Sequence, residues 1–208
     1  MKKVVFIAVM AFLGLGNVNA QDVKFGPKTS LNLTNHKGDV ENAETKIGFN
    51  IGAFVEIGLS DKFTFQPELL FSTQGSKSGY GAGSSSLKQI IKTNYLNVPL
   101  MIKYAVSDKF ALEFGPQMGF LLSAYFVWTA DYFDDSDDLS TVKEDFKDFF
   151  KTFDFGLNFG ASFDIIENIF IGARYNLGLS NIFVNFYDRV NEDKTQNSVF
   201  SMSVGYRF

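Results

Sequence analysis

After residue 20, apolar and polar residues alternate with period two in eight segments: 24–33, 47–59, 63–72, 96–104, 110–122, 153–163, 169–179 and 200–208. Period two marks a strand with one apolar face. The second segment is the plainest. Ile47, Phe49, Ile51, Ala53, Val55, Ile57 and Leu59 alternate with Gly48, Asn50, Gly52, Phe54, Glu56 and Gly58. No charged residue falls on the apolar face of any segment, and among their phenylalanines only Phe54 and Phe170 point the other way. The opposite face is rich in Gly, Ser and Asn. A soluble β-sandwich or lipocalin-like barrel also alternates, but it turns its apolar face inward and keeps charge outside. Small polar residues suit a crowded barrel interior. The uncharged face suits lipid, where a charge at the midplane costs roughly 2–4 kcal/mol. The pattern predicts an all-β fold, a transmembrane, antiparallel, up-and-down β-barrel of eight strands.

The connections support the same architecture. Those at 60–62, 107–109 and 165–168 are short; those at about 34–46, 74–93, 127–152 and 180–198 are long. Short and long alternate strictly, as periplasmic turns and extracellular loops do in an outer-membrane barrel. Both termini are then expected in the periplasm of a Gram-negative cell. The chain ends at Phe208, with Tyr206 on the same face. This pair is expected to anchor the interface and to form the signal read by the β-barrel assembly machinery. At the other end, Lys2 and Lys3 precede an apolar stretch from Val4 to Leu15, and Val18-Asn19-Ala20 fits a signal peptidase site. The stretch is too short for a membrane-spanning helix. Residues 1–20 are therefore expected to be a cleaved signal peptide and 21–208 one barrel domain. Gln21, where a lipoprotein would have Cys, argues against a lipid anchor.

Composition narrows the chemistry. The chain has no cysteine, which excludes disulfides and thiolate metal sites. Removing Lys2 and Lys3 leaves 17 basic against 23 acidic residues, a net of −6. Such a surface is a poor partner for nucleic acid.

Several motifs carry a family resemblance. Tyr95-Leu96-Asn97-Val98-Pro99-Leu100 with Lys103-Tyr104 resembles a strand of the Bacteroidetes outer-membrane barrels called PorT-like. Phe114-Gly115-Pro116-Gln117 with Gly119, Asp154-Phe155-Gly156 with Gly160, and Arg174-Tyr175 with Gly178-Leu179 are similar to later strands of that family. The resemblance covers most of the mature chain. It implies an eight-stranded barrel and no single activity, although the founding member is linked to protein secretion.

Candidate chemistry is sparse. Barrel enzymes need His with Ser, Asp or Glu near the rim. The single histidine, His36, falls in the first loop near Asp39, Glu41 and Glu44, and reads as a solvated residue. Inward positions carry Lys28, Lys103, Arg174 and Arg207 against Glu56, Glu68, Glu113 and Asp154. Four face four, a balance expected of a paired-charge plug in a lumen only wide enough for side chains. Loop 3, residues 129–152, holds eight acids and three lysines. Asp134, Asp135, Asp137 and Asp138 can offer oxygen ligands to calcium, but without the spacing or central Gly of a calcium loop. A solvated acidic tip is the simpler reading. Thr141 to Glu144 fits a capping box, and Phe146, Phe149, Phe150 and Phe153 follow at helical spacing. A short amphipathic helix over 141–152 is expected, with Phe146, Phe149 and Phe150 buried on loops, lipid or a partner. Loop 2 is glycine- and serine-rich and reads as flexible.

No cofactor is expected. The sequence predicts a non-enzymatic outer-membrane barrel with a structural or protein-interaction role at the cell surface, as an accessory subunit of a larger envelope or secretion complex. A narrow porin or small-solute channel is the alternative; a surface hydrolase is a third class. The expected partners are outer-membrane lipid, the assembly machinery, and a protein bound through loop 3.

Overall fold

The computed structural model describes residues 23–38, 43–82, 85–131, 141–184 and 194–208. Its strands in chain order are β1 (Val23–Gly38), β2 (Ala43–Gly58), β3 (Phe63–Ala82), β4 (Ser85–Ala105), β5 (Phe110–Asp131), β6 (Thr141–Asp145), β7 (Phe153–Ile166), β8 (Ile169–Gly178) and β9 (Thr195–Tyr206). Each pairs antiparallel with its neighbour, and β1 pairs with β9, for example Lys28 with Gly205. Eight strands, all but the short β6, thus close into a ring. Closure lets neighbouring strands satisfy one another's backbone donors and acceptors within the wall, which lipid requires.

The alternation decides which way each side chain points. Leu31 is 70 % exposed and Met202 64 %, whereas Asn32, Gln66 and Asn158 are fully buried. Apolar groups face out and polar groups face in, the reverse of a soluble protein. Together Leu31, Leu33, Ile47, Phe49, Phe114, Phe120, Phe159 and Phe200 contribute to an outward apolar belt. Aromatic pairs mark its margin at the turn end. Phe63 lies 5.2 Å from Tyr104 and Phe25 lies 5.6 Å from Phe208, whose amide donates to the Phe25 carbonyl at 2.8 Å.

Two loop expectations change. Residues 74–93 are not a flexible loop: β3 and β4 stay paired through Ala82 and Ser85, and β4 and β5 through Ser86 and Asp131. Most of 34–46 is likewise strand in β1 and β2. In β3 from Gln74 to Ser78 both faces are polar, so the sequence contrast vanishes while the backbone ladder continues.

The helix expected over 141–152 is also absent. Residues 141–145 form β6, and only Lys147–Phe149 make a single 3₁₀ turn. The reason is an open edge. β5 runs beyond the end of β7, and β6 takes up that edge, with Tyr125 opposite Asp145 and Thr129 opposite Thr141. Unpaired ladder groups outweigh a weak local helix preference. Below, β7 resumes the pairing with Phe153 opposite Phe120. The residues between, 146–152, are three more than the β5 residues they face, and they bulge.

Candidate functional site

Among the described residues, the lumen gathers most of the buried charged and polar side chains, and it is filled in three tiers. At the turn end, Phe170 is fully buried and packs edge-on against Phe54 at 5.4 Å. Its ring covers Gly205, where a Cβ would come within 2.3 Å of it, so only glycine leaves room for the plug. Arg207, Lys103 and Lys28 lie 4.5, 5.1 and 6.0 Å from the ring centroid. The aromatic face gives these cations an attractive surface in a dry space.

Ion pairs knit the same tier to the next. Arg207 reaches Glu56 at 2.8 Å and Asp164 at 2.9 Å. Lys103 holds Glu56 at 2.8 Å and lies 3.9 Å from Glu113. Arg174 donates to both oxygens of Glu68, at 3.0 and 2.9 Å, and to Glu113 at 2.7 Å. Lys28 donates to Glu68 at 3.0 Å, and Gln66 adds a bond to the same carboxylate at 2.6 Å. Charges this deep persist only when paired and hydrogen-bonded.

Seven of the eight inward charges read from the sequence meet in this network; Asp154 does not. It lies near the loop end, opposite Gly119, and accepts from Ser180 at 2.5 Å and Asn197 at 2.8 Å. Asp164, which the sequence reading omitted, is the fourth acid. Alternation reports the face of a strand but not the height. Asp154 is six residues along β7 from Gly160, the partner of Arg174, or about 20 Å.

The middle tier is neutral and polar. Asn32 donates to Asn50 at 2.6 Å, Asn176 to Asn158 at 3.0 Å, and Asn158 to Gln117 at 3.2 Å. Between them is a cavity of about 20 Å³ lined by Ser30, Ser72, Gln74, Asn97, Arg174 and Ser201 among others. It has room for roughly one or two waters.

The loop-end tier is apolar. Tyr95, Ile91, Leu121, Ala124, Phe150 and Ile182 are buried together, with Phe126, Phe146 and Phe183 against them. The bulge at 146–152 turns Phe150 inward, where its ring meets Phe183 at 4.6 Å. Of the three aromatics expected to form one buried face, Phe150 is buried, Phe146 is half-buried and Phe149 is 44 % exposed. Asp134, Asp135, Asp137 and Asp138 lie outside the described residues. Among the described residues, no group of three His, Asp or Glu is placed to hold a metal.

His36 is not the solvated loop residue expected. It is 3 % exposed on the inner face of β1, and its Nδ1 lies 2.8 Å from Ser76 Oγ. Burial lowers its pKa from 6.5 to about 4. Ser76 falls in 74–93, where alternation gives no strand signal; the continued strand turns both residues inward. Neither lines the lumen cavity.

A family model, the outer membrane protein beta-barrel domain, matches residues 15–184. No curated protein sequence matches the chain. Among solved structures, the chain is similar to Ail, the attachment invasion locus protein of Yersinia pestis, at 13 % identity and a TM-score of 0.49, over 90 % of this chain and 100 % of that one. It is similar to Neisserial surface protein A at 12 % identity and a TM-score of 0.46, over 88 % and 97 %. OprG from Pseudomonas aeruginosa matches at 12 % identity and a TM-score of 0.36, over 90 % and 95 %.

Proposed function

The chain belongs to the outer-membrane β-barrel domain family, and from that premise we propose that it is a closed barrel, neither channel nor enzyme, that works through what its loop end and outer surface touch. The observation that carries this reading is the filled lumen. Phe54, Phe170 and the ion-pair network occupy one end, Tyr95, Phe150 and Ile182 the other, and the cavity between has about 20 Å³. A hydrated ion needs a continuous wet path, and a small solute needs far more volume.

The role is structural or interactive at the cell surface, as an accessory subunit of a larger envelope complex. The PorT-like motifs favour a complex concerned with protein export. The start of β1 and the end of β9 share the end with the short turns, which supports a periplasmic location for both termini. Tyr206 and Phe208, stacked at 4.9 Å there, fit a terminal assembly signal. Loop 3, with its acidic segment and exposed Phe149, is the partner-facing side.

The narrow-porin reading remains the competitor, and planar-bilayer recording separates the two. Purified protein should give no stable single-channel steps. Reproducible steps that persist across preparations would overturn the closed-barrel reading.

A further inference from the structure

Three lysines stand together on the outer wall just above the apolar belt. The lower part of β2 turns Ile47, Phe49 and Ile51 outward. Between Thr45 and Asn50 the β2–β3 register slips. Such a bulge re-aims a side chain. In the gap the Phe49 amide donates to Thr73 Oγ1 at 2.9 Å. On the neighbouring strand Gly75 has φ +132°, a conformation that glycine alone adopts readily. From inside, the Thr34 hydroxyl lies 3.0 Å from the Lys46 carbonyl and 2.7 Å from that of Gly75, and it pins both irregularities.

The result is a cationic patch. Lys77 and Lys92 are exposed. Lys46 is half-exposed beside them, and burial together with the Lys92 and Lys77 ammoniums lowers its pKa below the usual lysine value. The register partner of Lys46 on β1 is Thr34; those of Lys92 are Gly75 and Tyr125. Glu44 faces Lys77 alone. Among the described residues none of the three lysines makes an ion pair. Like charges held close, in a chain that is acidic overall, make a local surface that favours an anion.

We propose that Lys46, Lys77 and Lys92 bind the phosphate of a membrane lipid in the leaflet at the loop end. The belt beneath them, Ile47, Phe49 and Leu69, supplies the surface for that lipid's acyl chains, so headgroup and tail are held by one continuous face. A lysine beside a lipid phosphate is worth about fivefold in affinity, and three act together.

The test uses the full-length folded protein in neutral detergent, with lipid A bearing both phosphates as the probe. Retained lipid is counted by native mass spectrometry. The wild type should bind this lipid about tenfold or more tightly than the same lipid with both phosphates removed. Replacing Lys46→Gln, Lys77→Gln and Lys92→Gln together should abolish the difference. The turn-end set Lys24→Gln, Lys62→Gln and Lys109→Gln should keep it, with heat-modifiable migration reporting the fold of each. Equal binding of the phosphorylated and dephosphorylated lipids overturns the proposal. So does undiminished binding by the first triple variant. Displacement of the lipid by millimolar inorganic phosphate would reduce the patch to a simple anion site and overturn the lipid assignment. None of these outcomes depends on whether the lumen conducts.

Discussion

Replacing Arg174 by Met tests the lumen network at its most connected point. The guanidinium donates to Glu68 at 3.0 and 2.9 Å and to Glu113 at 2.7 Å. Removing it leaves three cations against four acids. Glu68 retains Lys28 at 3.0 Å and Gln66 at 2.6 Å. Glu113 retains only Lys103 at 3.9 Å, and it is 5 % exposed. The orphan is therefore Glu113. Breaking a buried pair by deleting one partner costs about 3–5 kcal/mol, because the other charge stays desolvated and unpaired. A second change, Glu113→Gln, removes that charge and restores a three-to-three balance, so the double variant should return to within about 2 kcal/mol of the wild type. Equilibrium urea unfolding in phospholipid vesicles measures both, with Trp128, the single tryptophan, as the reporter. A loss below about 1 kcal/mol in Arg174→Met would mean that water reaches and solvates the site. A double variant no more stable than the single one would mean that Glu113 is not the group left stranded. Either result refutes the closed, dry network.

Phe208→Asp should prevent assembly, since it removes a ring packed on Phe25 and Tyr206 and places a charge at the membrane margin; normal heat-modifiable migration of that variant in whole membranes would contradict this. A cysteine at Ser136 should react with a membrane-impermeant reagent on intact cells. Protection there, with labelling at the turn end, would invert the assigned orientation. His36 titrates near pH 4 when folded and near 6.5 when unfolded, so its contribution is complete above pH 6.5 and declines as pH falls toward 4. Comparing the pH dependence of unfolding with that of His36→Gln isolates the effect from the carboxylates; parallel curves would show that the ring is solvated.

The membrane-embedded part of this barrel is written in its sequence because lipid and lumen impose opposite demands on alternate residues. Ile47 to Leu59 and Phe153 to Phe163 are legible for that reason. Above the belt the demand lapses. From Gln74 to Ser78 both faces are polar, so nothing local separates strand from loop there, although β3 and β4 are paired across this stretch. Residues 141–152 mislead for a different reason. Their capping pattern and phenylalanine spacing are real, but the unpaired edge of β5 is a tertiary fact that no local window contains. The charge network is readable by face and not by level: Asp154 and Asp164 both belong to β7, and only the folded geometry brings the second to Arg207. Phe54 and Phe170 were the informative exceptions, two aromatics on the wrong face, and they are the plug.

The ribbon of β3, β4 and β5 continues well past the belt, which ends near Phe71 and Leu96. From there β3 runs on to Ala82, about 35 Å of strand, or roughly 25–30 Å of height at a usual barrel tilt. That height is a mechanical property. β4 is bonded along its length to β3 on one side and β5 on the other. A load applied at the tip and directed away from the membrane would pull these strands along their own axes. The ladder bonds would then be strained in shear, sharing the force, rather than opened one after another like a zip. A tether fixed to that tip would pull on the embedded wall itself.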